Sequence, residues 1–184
     1  MNPQQSLTVV ALLIVVALCC SIVGFQMVTG VPPMSSTAAE GADMIALLKR
    51  AGLPEQAVIY ELGSGWGSLV IALAHAFPTA RIRGIELSPL PYWVSRFRTR
   101  NFPNVELRRC DFHRCDLSAA QAVTCFLMTA SMPKLAALLD RTLASGTPVV
   151  SLCFRFRDRD IEASLEHAGP LRAVALYRWP ARGR

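Results

Sequence analysis

The stretch Val58–Gly67, which reads V-I-Y-E-L-G-S-G-W-G, decides the fold of this chain. Its first half is apolar and β-branched, as in a buried strand, and Ser68–Phe77 then has the apolar pattern of a helix. Three alternating glycines lie between them. Glycine allows positive φ and close approach of a ligand to the backbone, while N–H groups that open a helix attract polar ligand groups. The sequence therefore predicts a strand, a tight turn and a helix that bind a small, partly polar ligand.

The spacing of the glycines helps to distinguish a dinucleotide site from sites for other ligands. They read G-x-G-x-G, whereas a dinucleotide fingerprint reads G-x-G-x-x-G and needs a glycine where Ser68 stands. The match to a nicotinamide or flavin site is therefore incomplete. A second acid, Glu86, ends the next strand-like run and is placed to hold the hydroxyl groups of a ribose.

An acid before G-x-G-x-G, followed by a later acid, resembles motif I and the acidic loop of class I S-adenosylmethionine-dependent methyltransferases. The resemblance extends over Thr37–Trp179. It implies that the amides of the glycine turn hold the carboxylate of the cofactor's methionine tail. It also implies that Glu61 orients the tail ammonium and that Glu86 holds the ribose. The alternative is a glycine-rich turn in some other α/β domain.

The same resemblance places the adenine after the third strand. Asp111 is expected to accept the adenine amino group, with Phe112 beside the ring, and Asp116 is the rival of Asp111. The implied cofactor-binding residues are Glu61, Gly63, Ser64, Gly65, Gly67, Glu86, Leu87, Asp111 and Phe112.

Strand-like and helix-like segments alternate after the glycine turn, which predicts a parallel sheet covered on both faces and a Rossmann-like α/β fold. Further strands are predicted at Arg81–Leu87, Val105–Arg109, Ala122–Met128, Pro148–Phe154 and Ala173–Trp179. Helices are predicted from the capping box at Thr37 to Arg50, and at Leu90–Arg100, Met132–Leu143 and Arg159–His167. The chain ends soon after the sixth strand, so we expect the seventh strand of a methyltransferase sheet to be shortened or absent.

The N-terminus has a separate character. Residues 7–28 are 22 residues without a formal charge, which is long enough for a transmembrane helix. A cleaved signal peptide is the competing interpretation, but residues 1–6 contain no Lys or Arg and no A-x-A site follows. Residues 29–37 form a predicted linker and residues 38–184 the catalytic domain. Because S-adenosylmethionine is kept in the cytoplasm, we expect the domain inside and the N-terminus outside, in a bacterial inner membrane.

Net charge is +6, from 17 Arg and two Lys against 13 acids. This excess fits an anionic membrane surface or a solvated face, and no nucleic-acid motif with interleaved aromatics is present. Cys110 and Cys115 lack a second cysteine pair or a histidine cluster, so no metal site is predicted.

The acceptor side is less clear from the residues. The D/N-P-P-Y motif of enzymes that methylate base amines is absent after the fourth strand, where F-L-M-T-A-S stands at residues 126–131. The segments Y-E-L-G-S-G-W-G, I-E-L-S-P, D-L-S-x-A and V-T-C-F-L resemble small membrane-anchored methyltransferases related to the ATP synthase c-subunit lysine N-methyltransferase. This resemblance implies a lysine of a protein, including a membrane protein, as the acceptor. The alternatives are a small-molecule or lipid methyltransferase and a catalytically silent cofactor-binding scaffold. No residue is assigned as the catalytic base.

Overall fold

The computed structural model describes residues 2–13, 15–16, 36–166 and 172–179. The chain divides into two compact units, Met1–Met34 and Ser35–Arg184. In the first unit, residues 3–13 and 15–16 are helical, and Leu12 and Leu13 are each 62% exposed. The rest of the predicted span, and most of the predicted linker, lies outside the described residues. Within the described part of the chain, no helix combines the length and the apolar character needed to cross a membrane.

The second unit is built on one seven-stranded sheet with the order β3-β2-β1-β4-β5-β7-β6. Its strands are β1 (Val58–Leu62), β2 (Arg81–Glu86), β3 (Val105–Arg109), β4 (Ala122–Cys125), β5 (Thr147–Leu152), β6 (Ala163–Leu165) and β7 (Val174–Trp179). Its helices are α1 (Ala38–Arg50), α2 (Ser68–Ala76), α3 (Pro89–Arg98) and α4 (Met132–Thr142). Strands β1 to β5 are parallel, β7 runs antiparallel to β5, and β6 runs antiparallel to β7. The predicted Rossmann-like α/β fold is confirmed.

Helix α1 begins at the predicted capping box. The Glu40 carboxylate accepts a hydrogen bond from the Thr37 N–H at 2.7 Å, and the Thr37 hydroxyl accepts one from the Glu40 N–H at 3.3 Å. The apolar side of the helix buries Met44, Leu47 and Leu48 completely. Local capping and a buried apolar face together fix this helix.

Two hydrophobic clusters cover the two faces of the sheet. The first joins side chains of α1 and α2, such as Leu47 and Leu73, to the sheet. The second joins side chains of α4, such as Leu135 and Leu139, to the other face. The sheet is therefore buried on both sides, and the polar ends of its strands are left for a site.

At the end of the chain, the predicted helix was wrong and the prediction for the seventh strand was partly right. Within the predicted helix Arg159–His167, the described residues 159–166 form an irregular segment followed by β6. The seventh strand is present but short, since β6 has only three residues. Ala163 and Leu165 are half-buried against the first cluster, while the residues around them are exposed. This period of two fits an edge strand, and pairing with β7 gives its backbone groups partners that a short isolated helix would lack.

Both edges of the sheet are unfavourable for further pairing. At one edge, β3 exposes Glu106, Arg108 and Arg109. At the other edge, β6 is only three residues long. Short or charged edge strands resist addition of a foreign strand.

The strand order reverses between β1 and β4, which are neighbours in the middle of the sheet. Connections leave the two strands in opposite directions, so a crevice forms outside their carboxyl ends. The glycine turn after β1 lies at this crevice.

Candidate functional site

The glycine turn connects β1 to α2 in the predicted manner. Gly63, Gly65 and Gly67 have φ values of 79°, 50° and 81°. A Cβ atom on Gly67 would lie 2.4 Å from the Ser95 hydroxyl oxygen, so α3 approaches the turn too closely for any side chain there. The turn therefore needs glycine at this position both for its backbone angle and for helix packing.

The N–H groups of the turn are bonded mainly to the protein itself. Those of Gly63 and Ser64 both donate to the carbonyl of Ile85 at 2.9 Å, and that of Gly67 donates to the Ser64 carbonyl at 2.9 Å. The sequence prediction assigned these amides to the cofactor's tail carboxylate. In the structure the N–H groups of Gly63 and Ser64 instead bind the turn to the end of β2, and this fixes the conformation of the turn.

Glu86 closes the same network from the end of β2. It is 8% exposed, and its two carboxylate oxygens accept hydrogen bonds from the N–H groups of Gly65 and Ser88, each at 2.7 Å. A carboxylate has further lone pairs beyond these two bonds. Glu86 is therefore held rigidly and keeps lone pairs that a ribose diol could use, so its predicted role stays a prediction.

Glu61 is a buried acid without a hydrogen-bond partner at one oxygen. It is 4% exposed, and its Oε2 atom has no partner among the described residues. Burial, followed by the nearby charge of Glu86, raises the pKa of Glu61 to about 8. A cation placed beside this carboxyl would supply the missing partner and favour its ionised form. That is the role expected for Glu61 toward the cofactor's ammonium.

The loop after β3 lies beside Glu86. The Cys110 N–H donates to the Glu86 carbonyl at 3.1 Å, and this contact brings Asp111 and Phe112 to the ribose acid. Phe112 is half-buried, and Leu87 is 46% exposed. An adenine ring bound here would cover apolar surface that is otherwise open to water.

The two rival acids of this loop both act as local caps. Asp111 Oδ1 accepts from the His113 N–H at 3.0 Å. The Asp116 carboxylate accepts from the N–H and the hydroxyl of Ser118, and these bonds hold the pKa of Asp116 below its usual value. Asp111 is the one attached to the end of β3, next to Glu86, and it stays the predicted adenine ligand.

Several residues that touch the glycine turn were missed by sequence reasoning. Arg98 Nη1 donates to the Trp66 carbonyl at 2.6 Å and lies 3.3 Å from the Ser68 hydroxyl. A Cβ atom on Gly84 would lie 3.1 Å from Ser64 Cβ, so β2 also passes closely under the turn. A glycine inside a strand is the one signal that could have indicated this approach. The Arg98 contact spans 32 positions and left no local signal.

A pair of aromatic rings lies at the carboxyl ends of β4 and β5. The Phe126 and Phe154 centroids are 6.3 Å apart, and the rings are inclined by 23°. Cys153, between β5 and Phe154, has φ 65°, and the Phe154 N–H donates to the Leu152 carbonyl at 2.8 Å. This is a γ-turn with positive φ, a strained conformation for a residue with a side chain. Phe154 follows this turn directly, and its ring lies beside that of Phe126.

An ion pair between a buried glutamate and a half-exposed arginine flanks the aromatic pair. Glu40 is 1% exposed and accepts two hydrogen bonds from the guanidinium of Arg172, the Oε2–Nη2 contact being 2.8 Å. The Arg172 guanidinium lowers the pKa of Glu40 and lies 6.0 Å from the centroid of the Phe126 ring. An ion pair therefore lies beside an apolar, aromatic surface at this end of the sheet, with its guanidinium near the Phe126 ring.

The described residues contain no group of three or more His, Cys, Asp or Glu side chains that could hold a metal ion. Cys110 and Cys115 have sulfurs 2.6 Å apart, both as free thiols. Desolvation, followed by the hydrogen bond to Cys110, raises the pKa of Cys115 to about 12.

Comparison with known proteins finds methyltransferases. The family described as the ANTKMT methyltransferase domain matches residues 61–163. A protein-lysine N-methyltransferase of Saccharolobus islandicus (strain REY15A) is 29% identical over 120 residues, which cover 60% of this chain and 71% of that protein.

Solved structures show the same fold. An RNA methyltransferase from Salinibacter ruber, in complex with S-adenosyl-L-homocysteine, is 30% identical with a TM-score of 0.71, covering 79% of this chain and 93% of that one. Precorrin-6y C5,15-methyltransferase from Geobacter metallireducens GS-15 is 15% identical with a TM-score of 0.61, covering 81% of this chain and 91% of that one.

Proposed function

Since this chain belongs to the ANTKMT methyltransferase domain family and is an S-adenosylmethionine-dependent methyltransferase, we propose that its acceptor is the side-chain amine of a lysine in a protein. The observation that carries this proposal is the aromatic pair of Phe126 and Phe154 at the carboxyl ends of β4 and β5. Two rings accommodate the apolar arm of lysine. The similarity to a protein-lysine N-methyltransferase supports the same acceptor.

The residues of the crevice fit the parts of the cofactor. Glu61 offers a buried oxygen without a partner for the tail ammonium, and Glu86 offers its remaining lone pairs for the ribose hydroxyls. Asp111 and Phe112 stand at the adenine position. When bound, S-adenosylmethionine supplies an electrophilic methyl group on a sulfonium. These side chains bind and orient it, which lowers the entropic cost of an in-line transfer.

The acceptor end of the crevice would favour the neutral amine. Lysine has an unperturbed pKa near ~10.4 and must lose a proton before it can attack. The apolar surface of Phe126 and Phe154 solvates an ammonium group less well than water does. This desolvation lowers the pKa of an incoming lysine, so its proton passes to bulk water as the amine enters the crevice, without a dedicated base.

We also propose that residues 7–28 anchor the protein in a bacterial inner membrane, with the catalytic domain in the cytoplasm and the N-terminus outside. The support is the absence of formal charge over these residues and the exposure of apolar side chains on the described helical part, such as Leu7 at 74%. Resistance of the membrane-bound protein to carbonate extraction tests the anchor. Protease protection of the catalytic domain in inverted and right-side-out vesicles tests the orientation.

RNA is the second candidate acceptor. The RNA methyltransferase from Salinibacter ruber is similar to this chain over a larger share than the lysine methyltransferase is. The aromatic pair that accommodates a lysine arm can also stack a base. The two acceptors require different products, and one experiment distinguishes them.

The experiment uses S-adenosylmethionine labelled in the methyl group, the full-length protein and a membrane extract. We expect label that is removed by proteinase but not by ribonuclease, and methyl-lysine after acid hydrolysis. Glu86→Gln should abolish labelling, whereas the matched change Glu162→Gln, at an exposed glutamate outside the crevice, should retain it. Label removed by ribonuclease would establish RNA and reject lysine.

A further inference from the structure

Helix α3 exposes two large aromatic side chains on one side. Trp93 is 59% exposed and Phe97 is 66% exposed, more than any other large apolar side chain described in the second unit. They are four residues apart, so they lie on the same side of the helix. The opposite side buries Ser95 against Gly67 of the glycine turn. Each ring points about 160° away from Ser95 around the helix axis.

An arginine guanidinium lies near each of these rings. The Arg96 guanidinium lies 5.9 Å from the Trp93 ring centroid, and the Arg100 guanidinium lies 4.0 Å from that of Phe97. Arg96 otherwise donates to the Tyr92 hydroxyl, and Arg100 to the Phe97 carbonyl. Neither takes part in any of the ion pairs described for this chain.

The surrounding sequence provides no compensating acid. Residues 87–105 contain three arginines and neither Asp nor Glu. We define the α3 outer face as Trp93, Arg96 and Phe97 of α3 together with Arg100, which lies two residues beyond the end of the helix. It is an aromatic and cationic surface whose charge is open to an external anion.

We propose that the α3 outer face is a contact surface for an anionic lipid leaflet, with Trp93 and Phe97 in the headgroup region. Tryptophan and phenylalanine partition to the boundary between headgroups and acyl chains, and arginines beside them bind the phosphate of anionic headgroups. The arginines already occupy one side of each ring, which leaves less ring surface for stacking bases. A ring can insert between lipid headgroups by its edge, and this does not require an uncovered ring face as base stacking does. The charge complementarity therefore favours lipid.

This contact is separate from the proposed N-terminal anchor. An anchor requires only residues 7–28, whereas the α3 outer face belongs to the catalytic unit. The test must therefore report on Trp93 itself rather than on binding of the whole chain.

The full-length protein is mixed with vesicles of phosphatidylcholine, alone or with phosphatidylglycerol, whose acyl chains carry bromine as a tryptophan quencher. We expect quenching on the vesicles that contain phosphatidylglycerol and little on phosphatidylcholine alone. Trp93→Phe should remove most of it, and Trp66→Phe should retain it. Trp179 is fully buried and should contribute little in either case.

The charge dependence is tested with paired substitutions. Arg96→Gln with Arg100→Gln should weaken Trp93 quenching, by roughly fivefold in lipid affinity for each arginine. The matched pair Arg50→Gln with Arg81→Gln removes the same charge elsewhere and should have a smaller effect. Unchanged binding of S-adenosylhomocysteine in the Trp93→Phe protein verifies folding.

Three results would overturn the proposal. One is flotation with the vesicles while Trp93 is not quenched, which leaves the anchor intact and rejects the face. Another is equal quenching on neutral and anionic vesicles. The third is a Trp93 response to single-stranded RNA or to an acidic protein that is absent with vesicles.

Discussion

Glu61→Gln is expected to change how stability depends on pH. The folded protein holds the Glu61 pKa at about 8, against an ordinary value of 4.5. Between these two values the folded chain binds more protons than the unfolded chain, so this carboxyl lowers stability as pH rises. The loss is absent below pH 4.5, where both states are protonated, and complete above pH 8. A glutamine at this position does not titrate and removes the effect.

The magnitude follows from the two pKa values. At pH 7 the unfolded carboxyl has lost its proton and the folded one has kept it, which costs about 3 kcal/mol. At pH 5 the same cost is about 1 kcal/mol. Between pH 5 and pH 7, the free energy of unfolding of the wild type should therefore fall by about 2 to 3 kcal/mol relative to that of Glu61→Gln. Comparing two pH values cancels the constant cost of burying the amide.

The assay is urea unfolding of the cofactor-free proteins at both pH values, with Glu162→Gln as the control at an exposed carboxyl. Parallel pH profiles for wild type and Glu61→Gln would refute the reasoning. A second measurement tests the ligand. Titration with S-adenosylhomocysteine at pH 7, in buffers of different ionisation enthalpy, should release close to one proton from wild type, because the ligand's ammonium favours ionised Glu61. The Glu61→Gln protein should release none.

Three further outcomes are expected. Gly67→Ala places a Cβ atom 2.4 Å from the Ser95 hydroxyl and should cost about 3 kcal/mol in urea unfolding, partly restored by adding Ser95→Gly; no recovery would show that the backbone angle alone is limiting. Glu40→Gln weakens the pair between buried Glu40 and half-exposed Arg172 and should cost about 1 kcal/mol at pH 7. Because the pKa of Glu40 is lowered, this difference should disappear as pH falls through its folded pKa, and a constant difference would contradict the pairing. Phe126→Leu should lower kcat/KM for the methyl acceptor roughly tenfold while the Kd for S-adenosylhomocysteine stays unchanged, and a parallel loss of both would place the ring at the cofactor instead.

The cofactor half of the site could be predicted because its signals are local. The glycine turn, the preceding acid Glu61 and the acid Glu86 at the end of β2 are each defined by a few neighbouring residues. The prediction of an S-adenosylmethionine-dependent methyltransferase is confirmed by the family match and by the structural relative solved with S-adenosyl-L-homocysteine. Individual contacts of Glu61, Asp111 and the other named residues with the cofactor stay predictions.

The parts that could not be predicted depend on contacts between distant positions. Arg172 pairs with Glu40 across 132 positions, and nothing in either local sequence indicates the partner. The segment Arg159–His167 has apolar residues that fit a short helix about as well as a strand. Pairing with β7 decides for the strand, and this pairing exists only after the sheet has formed.

The two edges of the sheet bear on whether the protein self-associates at high local concentration. At high local concentration a folded domain often meets its own copies, and an open strand edge can then pair with a strand of another copy. Exposed Glu106, Arg108 and Arg109 on β3 repel a strand that approaches this edge, and the three-residue β6 offers too few hydrogen bonds to hold one at the other. Crowding of copies in a confined layer should therefore leave them as separate, active molecules rather than nucleate a continuous sheet.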